Sequence, residues 1–163
     1  MTHACMGCAI AAKELIPPGG IIKETRNFIL IQDPEVPIKN FLIINSKRHI
    51  RSIAQLSLEE NTELFELCYQ ARKALLNFDD IVDCMLIQEE RSGHFHLWIL
   101  PWYAWMDAGF DKSLTSVRAI MQYARENRMA KEYQDEIAAA VEALRGMLDD
   151  PAAYISNTPT NIE

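Results

Sequence analysis

No run of apolar residues in this chain approaches the roughly 20 that a membrane-crossing helix needs. The N-terminus also lacks a basic segment followed by an apolar core, the pattern of a secretory signal. Both absences lead to the expectation of a cytoplasmic protein with no membrane partner. Positive charge is scarce: 16 lysines and arginines stand against 23 aspartates and glutamates, for a net charge of -7. That balance argues against an extended nucleic-acid surface, which needs clustered cations. A small phosphorylated ligand remains open, because a few donors such as Lys39, Lys47, Arg48 and Arg91 would suffice. The sequence shows no internal repeat and no low-complexity segment. At 163 residues it suits one well-buried core better than two domains.

Histidine and cysteine are also rare, four of each, but they are not scattered. Cys5 and Cys8 form a C-x-x-C, which in a reducing compartment reads as metal-binding or redox-active more readily than as a disulfide. A thioredoxin-like pair would follow a strand, and no strand pattern precedes Cys5. His49 follows the apolar run Phe41-Leu42-Ile43-Ile44. His94 and His96 lie in Gly93-His94-Phe95-His96-Leu97-Trp98-Ile99-Leu100-Pro101, where strand alternation would put both imidazoles on one face. Cys5, Cys8, His49 and His94 together supply two thiolates and two imidazoles, a set suited to a closed tetrahedral structural Zn2+ site. His3 is either a spare ligand or a frayed terminal residue. Cys68 and Cys84 fall on apolar faces and read as core thiols.

Pattern along the chain predicts a short N-terminal helix, then strands and one long helix, then helices only. A short helix is expected over 9–15, stopped by Pro17-Pro18-Gly19-Gly20. Strands are expected over 21–25 and 28–32 as a hairpin, then over 41–45. Ser57-Leu58-Glu59-Glu60 is a capping box that opens a helix running to about Asn77. Two more strands follow at 82–89 and 94–100, and helices at 113–127 and 131–148. The residues from 151 onward read as a loosely ordered tail.

The order C-x-x-C, buried strand, K-R-H, capped helix and H-x-H-x-x-x-x-P resembles the histidine triad superfamily, over roughly residues 5 to 101. The resemblance implies an α+β fold: an antiparallel β-sheet with a packed helix over residues 1–105, with 106–150 as a C-terminal helical extension on the same domain. It also implies a homodimer that binds nucleotides or dinucleotides and attacks an α-phosphate through histidine. Relatives with an N-terminal C-x-x-C bind zinc through this ligand combination, including the first triad histidine. His96, the middle position, would be the nucleophile; the bland alternative is a hydrogen-bonded strand histidine. The third triad position carries Trp98, a departure from the pattern. The expected activity is hydrolysis of dinucleoside polyphosphates or nucleoside phosphoramidates. Nucleotidyl transfer, or a zinc-stabilised binding module with weak chemistry, is the rival.

Around these residues the expected contacts are weaker in specificity. Trp98 could donate its indole N–H to phosphate or simply fill the pocket. Ser92 and the Gly93 N–H precede the strand where an anion could meet donors, and Arg91 could add charge or be a solvated turn residue. By resemblance, Gln88 corresponds to a phosphate-contacting residue and Asp33 to the carboxylate that holds ribose hydroxyls. Asp33 could equally be a turn residue before Pro34. Mg2+ could accompany a polyphosphate substrate and would offset Glu89 and Glu90. Trp102, Tyr103, Trp105 and Phe110 read as packing for the C-terminal helices before a base-stacking wall.

Overall fold

The computed structural model describes residues 5–150, so His3 and the tail expected from 151 lie outside the described residues. Five strands form one antiparallel sheet: β1 (Ile21–Glu24), β2 (Phe28–Gln32), β3 (Leu42–Ser46), β4 (Ile81–Gln88) and β5 (His96–Tyr103), in the order β1-β2-β3-β5-β4. The helices are α1 (Met6–Ala11), α2 (Leu58–Leu75), α3 (Ala104–Asp107), α4 (Val117–Asn127) and α5 (Lys131–Asp149). This is the α+β architecture that the resemblance implies.

Alternation along the strands sorts the core onto two faces of the sheet. Phe28, Leu30, Leu42, Ile44, Leu97 and Ile99 pack with α2 and α5 on one face. On the other, Ile29 and Ile31 meet Ile10 of α1, while Phe41, Leu100 and Trp102 meet Val117, Ile120, Met121 and Ala124 of α4. His96 and Trp98 alternate with Leu97 and Ile99, so they belong to the α1/α4 face.

α2 begins where the capping box places it. Ser57 Oγ accepts from the Glu60 N–H at 3.1 Å and the Glu60 carboxylate accepts from the Ser57 N–H at 2.8 Å. Its stripe of Leu64, Leu67, Cys68, Ala71, Ala74 and Leu75 is buried. Several expected boundaries move, two of them beside the histidines and cysteines. The first helix spans Met6–Ala11 instead of 9–15, because the Ala9 N–H already closes a turn on the Cys5 carbonyl at 3.0 Å. The last strand starts at His96, not His94: Phe95 donates its N–H to the Ile50 carbonyl at 2.6 Å, outside the ladder. His94 therefore sits on the loop entering the strand.

The aromatic residues at the end of β5 and just beyond it pack with α4. Trp102 is fully buried and donates its indole N–H to Asp107 at 2.6 Å. Trp105 stacks on Tyr123 of α4 at 5.5 Å, and Phe110 meets both rings edge-on. Tyr103 donates its hydroxyl to the Lys39 carbonyl at 2.7 Å. Cys68 is buried, Cys84 is half-buried, and both are free thiols. Among the described residues no helix is long and apolar enough to cross a membrane.

Candidate metal centre and adjoining cavity

Cys5 caps the N-terminus of α1 and Cys8 lies one turn along it, so the short helix presents both sulfurs together. The loop after β3 brings His49, and the loop before β5 brings His94. One ligand atom from each of the four residues lies within 4.8 Å of every other. Cys5 Sγ and Cys8 Sγ stand 3.2 and 3.7 Å from His94 Nδ1, and Cys8 Sγ stands 3.2 Å from His49 Nδ1. The two Nδ1 atoms are 3.2 Å apart. In a tetrahedron with metal–nitrogen bonds of about 2.0–2.1 Å and metal–sulfur bonds of about 2.3 Å, such atoms would be spaced by about 3.3–3.8 Å. The residues fit an ion.

The hydrogen-bond pattern around His94 points the same way. Its Nε2–H donates to the Ser46 carbonyl at 2.8 Å, which leaves Nδ1 as a bare lone pair facing the sulfurs. Burial holds this imidazole below the ordinary histidine pKa, so the ring stays neutral. Gly7, between the two cysteines, is needed for close approach: a Cβ there would lie 2.5 Å from His94 Cδ2. The Gly7 carbonyl accepts from Asn45 Nδ2 at 3.1 Å, which ties α1 to β3.

Beside this cluster lies a cavity of about 300 Å³ on the α1/α4 face of the sheet. His96, Ser92, Trp98, Asp33, Met121 and Arg125 are among the residues that line it, together with Cys5 and His94 from the four-residue cluster. His96 Nδ1–H donates to the His94 carbonyl at 3.1 Å. Its Nε2 is buried and has no hydrogen-bond partner among the described residues. The arrangement makes Nε2 the free lone pair. Ser92 Oγ donates to the same His94 carbonyl at 2.8 Å and stands 3.3 Å from His96 Nδ1. Its hydroxyl therefore holds the loop that aims His96. The Trp98 ring lies 5.1 Å from the His96 ring and meets Phe41 edge-on at 5.9 Å.

The other expected contacts divide. Gln88, Arg91 and Gly93 are not among the residues lining the cavity. Arg91 is exposed, Gln88 ends the outermost strand, and Gly93 takes a left-handed turn at φ 76°. Lys39 pairs with Asp80 at 2.5 Å, Lys47 with Glu24 at 2.8 Å and Arg48 with Glu60 at 2.9 Å. Glu89 forms an ion pair with Arg118 of α4 at 3.4 Å. Sequence reasoning missed Met121 and Arg125. The helical stripe marks Met121 as buried, but no pattern in the sequence tells which sheet face α4 covers.

Asp33 lines the cavity and is also a turn residue. Its Oδ1 accepts from the N–H groups of Glu35 and Val36, both at 2.8 Å, and it is 6% exposed. Burial pushes its carboxyl up to about 6 from an ordinary 3.8. Because the folded state then holds its proton to higher pH than the unfolded chain, this group lowers stability progressively from about pH 4 to about pH 6, and the loss is complete above that. Raising this carboxyl from 3.8 to about 6 costs on the order of 3 kcal/mol at neutral pH. Asp33→Asn keeps an oxygen for both N–H groups and removes the titration. Urea unfolding at pH 4 and pH 7 should give a smaller difference in the variant, by up to about that amount. An unchanged difference would show that Asp33 is ionised normally.

No protein-family model matches this sequence, and no curated protein matches it. Solved structures do. A hypothetical histidine triad nucleotide-binding protein from Sulfolobus tokodaii superposes with a TM-score of 0.63 at 18% identity, over 96% of this chain and 100% of that one. A zinc-bound histidine triad family protein from Mycobacterium smegmatis gives 0.56 at 19% identity, over 88% and 96%. A HIT family protein from Bacillus anthracis gives 0.57 at 20% identity, over 87% and 97%.

Proposed function

This chain has the histidine triad fold, and on that premise we propose that it binds nucleotides and hydrolyses nucleotide conjugates at the α-phosphate with His96 as nucleophile. One observation carries the reading: His96 Nε2 is a lone pair without a partner among the described residues, on a residue that lines a cavity, with its Nδ1–H held by the His94 carbonyl. In the proposed reaction Nε2 forms a bond to the α-phosphorus and the leaving group departs with the electron pair of its own bond to phosphorus. Water then attacks the phosphohistidine, the P–N bond breaks, and the imidazole is restored. Ser92 keeps the His94 carbonyl in place, and Trp98 walls the cavity beside the nucleophile. The second oxygen of Asp33 is available for ribose hydroxyls. Dinucleoside polyphosphates and nucleoside phosphoramidates are the proposed substrates, and a polyphosphate would bring its own Mg2+.

Cys5, Cys8, His49 and His94 would hold zinc, supported by their spacing, by the donor set and by the zinc-bound neighbour from Mycobacterium smegmatis. When bound, the ion supplies a cross-link between α1, the loop after β3 and the loop that aims His96. Trp98 at the third triad position favours a second reading, a zinc-stabilised nucleotide-binding module with little chemistry; nucleotidyl transfer is the other rival. Phosphorus NMR of the protein with diadenosine tetraphosphate and adenosine phosphoramidate separates them. AMP release supports hydrolysis, and a new phosphoanhydride upon adding a phosphate acceptor supports transfer. No conversion by zinc-loaded protein would sink the enzyme reading.

A second copy of the chain is the proposed partner. β4 is an outermost strand whose Val82 and Leu86 are 59% and 52% exposed. Helical spacing puts Leu58, Phe65 and Tyr69 of α2 on one outward stripe, each more than half exposed. Pairing two β4 edges would cover both features. Sedimentation velocity should show a dimer at micromolar concentration and a monomer for the Phe65→Glu, Leu86→Glu double variant; a monomeric unmodified chain would contradict the assignment.

A further inference from the structure

Of the residues that line the cavity, Arg125 is the one lysine or arginine. Asp33 and Glu35 also line it, so without Arg125 its fixed charges would be acidic. A phosphate group entering such a space needs a compensating cation. Three of the cations near the motifs cannot serve without breaking other contacts, since Lys39, Lys47 and Arg48 are each held in an ion pair. Arg91 is exposed and does not line the cavity.

Arg125 is placed for this role by α4. Val117, Ile120, Met121 and Ala124 seat the helix on Phe41, Leu100 and Trp102, and Tyr123 is held by Trp105 and Phe110. Met121 and Arg125, one turn apart, then face the cavity together. Arg118, a further turn back, neutralises Glu89, whose charge acts on His96. Arg125 itself makes no hydrogen bond or ion pair within 4.0 Å among the described residues, yet its charge is felt at Asp33. A half-buried guanidinium that lines a cavity without a fixed partner is a fork for two oxygens of a ligand anion.

We propose that Arg125 binds the phosphate oxygens of the nucleotide in this cavity and sets the preference for anionic over neutral ligands. The proposal rests on the nucleotide reading given above and adds a specificity-determining residue contributed by the C-terminal helices.

The test is calorimetric titration of the zinc-loaded protein with AMP and with adenosine, for the unmodified chain, Arg125→Gln and Arg125→Lys. Loss of a charged donor pair should weaken AMP binding by about 10- to 100-fold in Arg125→Gln. Adenosine affinity should stay the same, and Arg125→Lys should recover part of the loss. Equal weakening of AMP and adenosine would make Arg125 a packing residue and overturn the proposal. So would unchanged AMP affinity in Arg125→Gln. If the unmodified protein binds neither AMP nor diadenosine tetraphosphate, the nucleotide reading itself fails and this proposal falls with it. Melting temperature and zinc content of each variant show whether the fold is intact, and the Lys variant keeps the comparison valid if Gln unfolds the helix.

Discussion

Replacing His96 with asparagine is expected to abolish the covalent nucleotide adduct and to slow turnover of adenosine phosphoramidate by at least about a thousandfold. The fold should survive. The asparagine amide can donate to the His94 carbonyl as His96 Nδ1–H does at 3.1 Å, so the loop keeps its hydrogen bond. Only the unpartnered Nε2 lone pair is lost, and among the described residues no other histidine offers one: His94 donates Nε2–H to Ser46 and turns Nδ1 to the Cys5, Cys8 and His49 cluster, and His49 belongs to the same cluster. Initial rates and melting temperature, measured side by side, check both halves. Turnover above about a tenth of the unmodified rate would remove His96 from the mechanism.

Loss of the proposed zinc should be the largest change in stability. In Cys5→Ser the tetrahedral donor set is broken, and loss of a metal site belongs among changes costing about 4 kcal/mol or more. For a chain of this size that is about 8–16 °C in melting temperature. The unmodified protein treated with a strong chelator should fall by a similar amount, and zinc should restore it. Gly7→Ala tests the same centre without touching a ligand, since its Cβ would lie 2.5 Å from the His94 ring. It should lower zinc affinity and stability together. Elemental analysis and thermal unfolding give both readouts. Full melting temperature in Cys5→Ser with no bound zinc would show that the four side chains only pack together.

These two centres are also coupled. His94 meets the metal cluster with its ring, and its backbone carbonyl holds His96 and Ser92. Loss of the proposed zinc should therefore loosen the loop that aims His96, the proposed nucleophile, and Cys5→Ser should lose activity beyond its loss of folded protein.

The clustering of Cys5, Cys8, His49 and His94 was legible in the sequence because rare residue types carry it, with few other reasons to recur in that order. The strands and α2 were legible through short apolar and β-branched runs and a capping box that forms both of its hydrogen bonds. The start of β5 was not. Strand alternation places His94 and His96 side by side, but the ladder begins only at His96, a choice made by the Ile50 carbonyl far away in sequence. The charges were the least legible part. Lys39, Lys47, Arg48 and Arg91 lie near the motifs in sequence, while the cavity takes its cation from Arg125, well outside them. Which face a helix covers depends on packing of Tyr123, Trp105 and Phe110, and periodicity carries no information about that.

The most direct test of the central claim is the intact mass of the protein after brief exposure to adenosine phosphoramidate, recorded under native conditions and then under denaturing, non-acidic conditions that spare phosphohistidine. The account predicts zinc in the native spectrum and, after denaturation, an adenylyl adduct that is absent in His96→Asn. Zinc-loaded protein with no adduct and no substrate loss, or an adduct that persists in His96→Asn, would contradict it.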